Sequence, residues 1–366
     1  MPSATRTPVN ALAVELTYSC NQACAYCYNP HRGVAQQPAP VLPSTELIRA
    51  RLERILDVWE LSQVTLTGGE PLRHEGLFAL LALLKRHAVP VHLITNGTYI
   101  TDAIAQELAQ HAVSVAQITL NGPNPELHQA HVGRDSFGDA IKGARALVAH
   151  GVDVTGCIVV TRRNAEHVAA IIEIWRELGA SRIALSRFSP AGVSLTRMKE
   201  WLPRRQDLMT AFGQAQPLAR SDFPIHCTVP VPSCLFDVTE YAPIQFGQCA
   251  IGSAYQELAL GPDGALRFCT LHAGRVNGGR DVLDPDWDLT LVPQSPEITN
   301  YRQHLPEFCQ GCGMASTCLG GCGAAMPYRE GAPRALDPLI EQYFFEEPAA
   351  VSLRRDRDGE ALGVNS

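Results

Sequence analysis

From about residue 11 to residue 188 the chain alternates between short runs of Val, Ile and Thr and longer stretches with helical spacing. Residues 11–17, 63–67, 91–95, 115–120, 152–161 and 182–187 read as strands. Between the first two, Leu47, Ile48, Leu52, Ile55, Leu56 and Trp59 share one face of a helix over 44–59. Helices also fit 102–111 and 165–178. Ser136, with Asp139 three residues on, gives a capping-box start to a helix reaching about His150. Six β/α repeats predict parallel strands joined by crossover helices, hence an α/β barrel or open sheet. Such folds collect their active groups at the carboxyl ends of the strands.

After Pro190 the alternation stops. Residues 191–226 hold one helical stretch, about 205–216, and read as a bridge between domains. Residues 227–347 are rich in Gly, Pro and Cys with few long periodic segments, so bound metal has to supply part of that fold. Residues 1–10 read as an N-terminal arm and the charged residues 348–366 as a loose tail. The chain has 366 residues, 46% hydrophobic and 18% charged, enough for a sizeable core plus a second unit. A net charge of −7 offers no footprint for nucleic acid, and no apolar run reaches membrane-spanning length. The expectation is a cytoplasmic protein with neither nucleic acid nor membrane as partner.

Twelve cysteines change the picture. Thiols stay reduced in the cytosol, and their clustering suits metal better than long-range crosslinks. Cys20, Cys24 and Cys27, directly after the first strand, have the spacing C-x3-C-x2-C. Three thiolates on one tight loop can each hold one iron of a cubane and leave the fourth iron open. A zinc knuckle or buried thiols would use the same residues, although structural zinc normally closes with four ligands.

With Tyr26 between its last two cysteines, this stretch resembles the signature of radical S-adenosylmethionine (radical SAM) enzymes. Further marks follow in order. Gly68-Gly69-Glu70-Pro71, after strand two, resembles the family's motif for the methionine amino group, with Glu70 offering a carboxylate. Thr95 and Asn96 after strand three, Thr119 and Asn121 after strand four, and Arg162 or Arg163 after strand five fall at cofactor-facing positions. Each alone also has a bland reading, as a turn or a surface arginine. The resemblance spans about residues 11–190 and implies a partial (β/α)6 TIM-like barrel. It further implies a 4Fe–4S cluster binding S-adenosylmethionine, reductive cleavage to a 5′-deoxyadenosyl radical, and an electron donor such as flavodoxin or ferredoxin.

The later cysteines resemble the family's small C-terminal SPASM domain. By that resemblance Cys249, Cys269 and Cys322 hold one auxiliary cluster, and Cys309, Cys312 and Cys318 another. A zinc ribbon is the alternative for the last four. The family's seventh cysteine is missing here: Asp337-Pro338 is followed by none. Cys227 or Cys234 is then either a replacement ligand or a buried thiol, and at least one auxiliary cluster is expected to have an open or non-cysteine ligand site. Cys157, inside strand five, reads as core. SPASM relatives often modify ribosomally made peptides or protein side chains, which is the first expectation for the substrate. A tetrapyrrole or other small metabolite is the alternative, and a non-catalytic metal-binding scaffold the rival from another class. Thr270 stands where sulfatase-maturing relatives carry an aspartate, leaving His272 as a substitute base. With no domain ahead of strand one, leader-peptide binding is expected to fall to a separate protein or another surface.

Overall fold

The structure, a computed structural model, describes residues 6–29, 42–111, 113–325 and 334–346. Six strands form its centre: β1 (Thr7–Glu15), β2 (Trp59–Thr67), β3 (Val91–Thr95), β4 (Val113–Thr119), β5 (Asp153–Val160) and β6 (Arg182–Arg187). They lie side by side in chain order and are all parallel. Crossovers run through α1 (Thr45–Val58), α2 (Leu77–Arg86), α3 (Asp102–Gln110), α4 (Pro125–Val132), α5 (Phe137–Ala149) and α6 (Val168–Glu177). Helices pack against a parallel sheet, so its strands are buried on both sides. Accordingly Leu12, Val14, Leu66, Leu93, Ile118 and Ile158 have almost no exposure. The (β/α)6 arrangement read from the sequence is present as an open, partial barrel.

The sheet does not end there. After α7 (Met198–Trp201) and α8 (Arg205–Ala215), β7 (Ile225–Cys227) and β8 (Gln245–Phe246) extend it beyond β6. On the other edge β9 (Glu257–Leu260) pairs parallel to β1, and β10 (Leu266–Arg267) folds back antiparallel on β9. The cysteine-rich region therefore adds strands to both edges of the barrel. A division at 226/227, expected from composition, cuts through β7. The expected tail, 348–366, lies outside the described residues.

α1 shows how the two regions lock. Ser44 caps it by accepting from the Leu47 amide at 3.2 Å. Ile48, Leu52, Ile55 and Leu56 are buried as the periodicity demands, but Leu47 is exposed. Arg51 is buried instead: its guanidinium donates to Asp281 (3.1 Å from Nε) and to the Pro262 carbonyl (2.9 Å). Trp59 Nε1 donates to the Leu289 carbonyl at 2.8 Å. A single-domain reading of the pattern could not anticipate a buried arginine there, since its partners lie about two hundred residues away in sequence.

The expected capping box at Ser136 is not formed. Ser136 is buried, and its hydroxyl is engaged by Gln22 Nε2 at 2.9 Å and by His128 Nε2 at 3.3 Å. Side-chain partners on the cysteine loop and on α4 outcompete the local cap.

Candidate active site at the carboxyl ends of the strands

Because β1–β6 are parallel, their carboxyl ends open on one edge, and the three-cysteine loop leaves β1 there. Backbone contacts from several strand ends hold this loop. Gly69 N donates to the Thr17 carbonyl at 2.5 Å and Glu70 N to the Ser19 carbonyl at 2.8 Å. A Cβ on Gly69 would sit 2.2 Å from the Ser19 carbonyl oxygen, and one on Gly68 (φ +138°) 2.5 Å from that of Thr17. The paired glycines thus let the β2 loop press against the root of the cysteine loop. From α4, Val132 and His131 carbonyls accept from Ala23 N and Ala25 N, both at 2.8 Å. Past β6, Ser194 N donates to the Cys27 carbonyl at 3.2 Å, with Gly192 (φ +53°) against Tyr28.

Side chains add to the frame. Asn96 Nδ2 donates to Asn21 Oδ1 at 2.8 Å, and Asn21 Nδ2 to Thr98 Oγ1 at 2.7 Å. Gln22 N donates to Cys20 Sγ at 3.4 Å. Tyr26, partly buried, has its hydroxyl hydrogen-bonded to Cys24. Asn21, Gln22 and Ser194 are positioning residues that motif reading passed over. Each is an ordinary polar residue whose role appears only once the loops meet.

Glu70 is almost fully buried and draws the β2 and β3 loops together. Its carboxylate accepts from Thr95 Oγ1 (2.6 Å), Asn96 N (2.9 Å) and Leu72 N (3.2 Å). Burial pushes its pKa up to about 7, against the lowering effect of those three donors. Pro71, also buried, starts the short turn that supplies the Leu72 amide.

Other expected cofactor contacts are used inside the protein. The Thr119 hydroxyl bonds the Cys157 thiol, which burial pushes up to about 11, in keeping with a core cysteine. Asn121 is wholly buried and accepts from Val159 N at 2.8 Å. Arg162 has a partner in the bridge: its Nε donates to the Leu202 carbonyl at 3.1 Å, just past α7. Arg163 pairs with Glu200 and lies 4.5 Å over the Trp201 ring. The arginines after β5 therefore tie the barrel to the bridge. His272 is buried, stacks on Phe268, and accepts from Gly274 N through Nδ1 at 2.9 Å. Burial pulls its pKa down to about 4, so it is a neutral wall residue with its proton on Nε2.

The remaining cysteines gather in two places. Cys249, Cys269 and Cys322 line a cavity of about 200 Å³ with Tyr301 and His272. Cys309, Cys312 and Cys318 line another of about 270 Å³, which Cys234 shares. Cys227 lines neither; it is buried in β7 and its thiol donates to the Val229 carbonyl at 3.4 Å. All twelve cysteines are thiols. Among the described residues, no three His, Cys, Asp or Glu side chains draw close enough to grip a single metal ion. A cubane differs, because each thiolate binds a separate iron and the sulfurs stand apart. Thiols spread round a loop or cavity are a donor set that suits iron–sulfur clusters.

One buried ion pair fixes the first of these cavities to the barrel. Arg187, at the end of β6, pairs with Asp337, and both side chains are fully buried. Asp337 also accepts from Cys322 N at 2.7 Å and from Leu339 N at 3.0 Å. The aspartate of Asp337-Pro338 thus anchors the Cys322 loop through its carboxylate.

Residues 14–174 match the family model of the Radical SAM superfamily. The chain carries a radical SAM domain. Curated relatives align over nearly the whole chain. PqqA peptide cyclase of Xanthomonas campestris pv. campestris (strain 8004) is 26% identical over 97% of this chain and 91% of its own length. The Streptomyces rochei PqqA peptide cyclase is 27% identical over 89% of this chain and 88% of its own. Among solved structures, Streptococcus suis SuiB superposes with a TM-score of 0.66 at 17% identity, covering 90% of this chain and 76% of that one. AdoMet-bound anSMEcpe gives the same TM-score at 16% identity, covering 95% and 99%. Both share the fold, from the radical SAM domain through the cysteine-rich region. The radical SAM family binds a 4Fe–4S cluster and S-adenosylmethionine, and the three-thiol loop at the strand ends suits that pair. No described helix is long and apolar enough to cross a membrane.

Proposed function

We propose that this radical SAM enzyme modifies a peptide, using a cluster held by Cys20, Cys24 and Cys27. The observation that carries the reading is the near full-length similarity to PqqA peptide cyclases. When bound, the cluster and S-adenosylmethionine supply a 5′-deoxyadenosyl radical able to abstract hydrogen from an unactivated carbon. The chain's own part is positioning. Gly68–Glu70, Asn96 and Ser194 hold the cysteine loop in place. Glu70 offers a fixed, buried carboxylate beside that loop, suited to a cationic amino group. The barrel's buried strand ends restrict water around the reacting groups. The auxiliary cysteines hold one or two further 4Fe–4S clusters, and the Cys249/Cys269/Cys322 group has no fourth thiol among the residues lining its cavity. That group is the one with an open or non-cysteine ligand position. His272, neutral and with Nδ1 occupied, is not the base in this scheme. The electron comes from a flavodoxin- or ferredoxin-type reductase in the reducing cytoplasm.

The test incubates candidate ribosomally made peptides with the reconstituted, reduced enzyme and S-adenosylmethionine. A true substrate should raise 5′-deoxyadenosine at least tenfold over the peptide-free rate and change mass by hydrogen loss. Stimulation by a tetrapyrrole or small metabolite, with no peptide altered, would replace the peptide reading.

A further inference from the structure

Near the bridge, four thiols surround one cavity although the sequence groups only three of them. Cys309, Cys312 and Cys318 come from the compact run that resembles a cluster-binding motif. Cys234 comes from a turn 75 residues before Cys309, between β7 and β8. All four line the cavity of about 270 Å³.

The turn that presents Cys234 is built to hold still. Leu235 N donates to the Pro232 carbonyl at 3.0 Å, closing the turn around Cys234. The Leu235 carbonyl in turn accepts from Arg205 Nε at 2.6 Å, anchoring the turn to the first residue of α8. Arg205 also stands 5.3 Å over the Tyr343 ring and lines the same cavity. Among the described residues it is the one charged side chain in that lining, and its sign complements a four-thiolate cluster, which carries net negative charge. The rest of the wall is mostly apolar, including Phe308, Leu235, Ile340 and Phe344. After burial, Cys318, Cys309 and Cys312 are among the groups that act on the Cys234 thiol.

From this juxtaposition we infer that Cys234 is the fourth protein ligand of an iron–sulfur cluster held with Cys309, Cys312 and Cys318. The inference rests on the reading of the cysteine-rich region as cluster-binding, and goes beyond it by naming a ligand outside the C-terminal cysteine run. Cys234 thereby takes the place left by the missing cysteine after Asp337-Pro338. Cys227, the other candidate, is a core thiol of β7 directed at the Val229 carbonyl. A single zinc ion would need every sulfur at about 2.3 Å, and zinc loading is the outcome that the experiment below separates from iron.

The experiment uses full-length protein, reconstituted anaerobically with iron and sulfide, carrying Cys20, Cys24 and Cys27→Ala so that only auxiliary clusters contribute. In that background Cys234→Ala should lose up to one cubane's worth of iron and sulfide, or convert one cluster to a three-iron form visible by EPR. Cys227→Ala should lose neither. Unchanged iron, sulfide and EPR in Cys234→Ala, or zinc in place of iron with all four cysteines present, would overturn the inference. Alkylation of the loaded protein without the Cys234 substitution gives a readout that needs no folded variant. Cys234 should resist labelling until iron is chelated and then label together with Cys309, Cys312 and Cys318; labelling of Cys234 at full iron loading would refute its ligation. Deoxyadenosine formation by the unsubstituted enzyme tests the radical SAM reading separately, so failure of one leaves the other standing.

Discussion

Gly69→Ala should abolish most S-adenosylmethionine cleavage, lowering 5′-deoxyadenosine formation by on the order of a hundredfold or more, although Cys20, Cys24, Cys27 and Glu70 are all left in place. The added methyl would lie 2.2 Å from the Ser19 carbonyl oxygen, 2.6 Å from its carbon and 2.8 Å from the Tyr18 carbonyl oxygen. All three are backbone atoms, so the clash cannot be relieved by rotating a side chain. The Tyr18–Ser19 segment has to move, and Cys20 follows it directly. Misplacing a reactive constellation by about 1 Å is enough for a loss of roughly that size. Gly138→Ala is the control: it lies in α5 with nothing within 4 Å of the added carbon. It should leave activity unchanged and stabilise the fold by less than the usual helix-interior gain of about 0.5–1 kcal/mol, since Gly138 is the second residue of α5. Rates and cluster spectra of the two variants, measured side by side, decide the matter. An active Gly69→Ala enzyme would mean that the two loops are not packed as described.

The second large effect concerns stability. Asp337→Asn removes the charge facing Arg187 while both groups stay inaccessible to water. Breaking one side of a buried pair typically costs about 3–5 kcal/mol, because the remaining charge is left without compensation. Arg187→Met should cost a similar amount. The double variant Arg187→Met/Asp337→Asn should cost clearly less than the sum of the two, since neither charge is then stranded. Asp337→Ala should also loosen the Cys322 loop, whose amide depends on that carboxylate at 2.7 Å. Denaturant unfolding of the three charge variants gives the coupling, and the iron content of Asp337→Ala reports on the loop. Additive losses would show that the pair acts as two independent groups.

Both effects involve partners that the chain brings together from far apart, and this marks the limit of what could be read from sequence. β3 and β6 match their expected bounds, because their Val, Ile and Leu runs stop at the residues that begin the strand-end loops. α2 and α4 carry no comparable sequence signal. α2 is a nearly continuous apolar run in which no face stands out, and α4 carries two histidines that burial, not polarity, accounts for. The cysteine loop and the glycine pair were legible because spacing and small size are local properties. Glu70's bonds to Thr95 and Asn96 depend on two loops meeting, as does the diversion of Arg162 to Leu202. The added strands β7 and β9, which flank the six central strands, are only three and four residues long, too short for a periodic signal. Cys234 had no local pattern at all, and only the folded turn sets it beside the C-terminal thiols.

The central claim is that the loop of Cys20, Cys24 and Cys27 supports radical chemistry. The direct measurement is 5′-deoxyadenosine released by the anaerobically reconstituted, dithionite-reduced enzyme given S-adenosylmethionine, beside the Cys20/Cys24/Cys27→Ala variant. Release by the unsubstituted enzyme and none by the variant is the predicted result. Equal release from both, or failure of the fully cluster-loaded enzyme to bind S-adenosylmethionine, would contradict it.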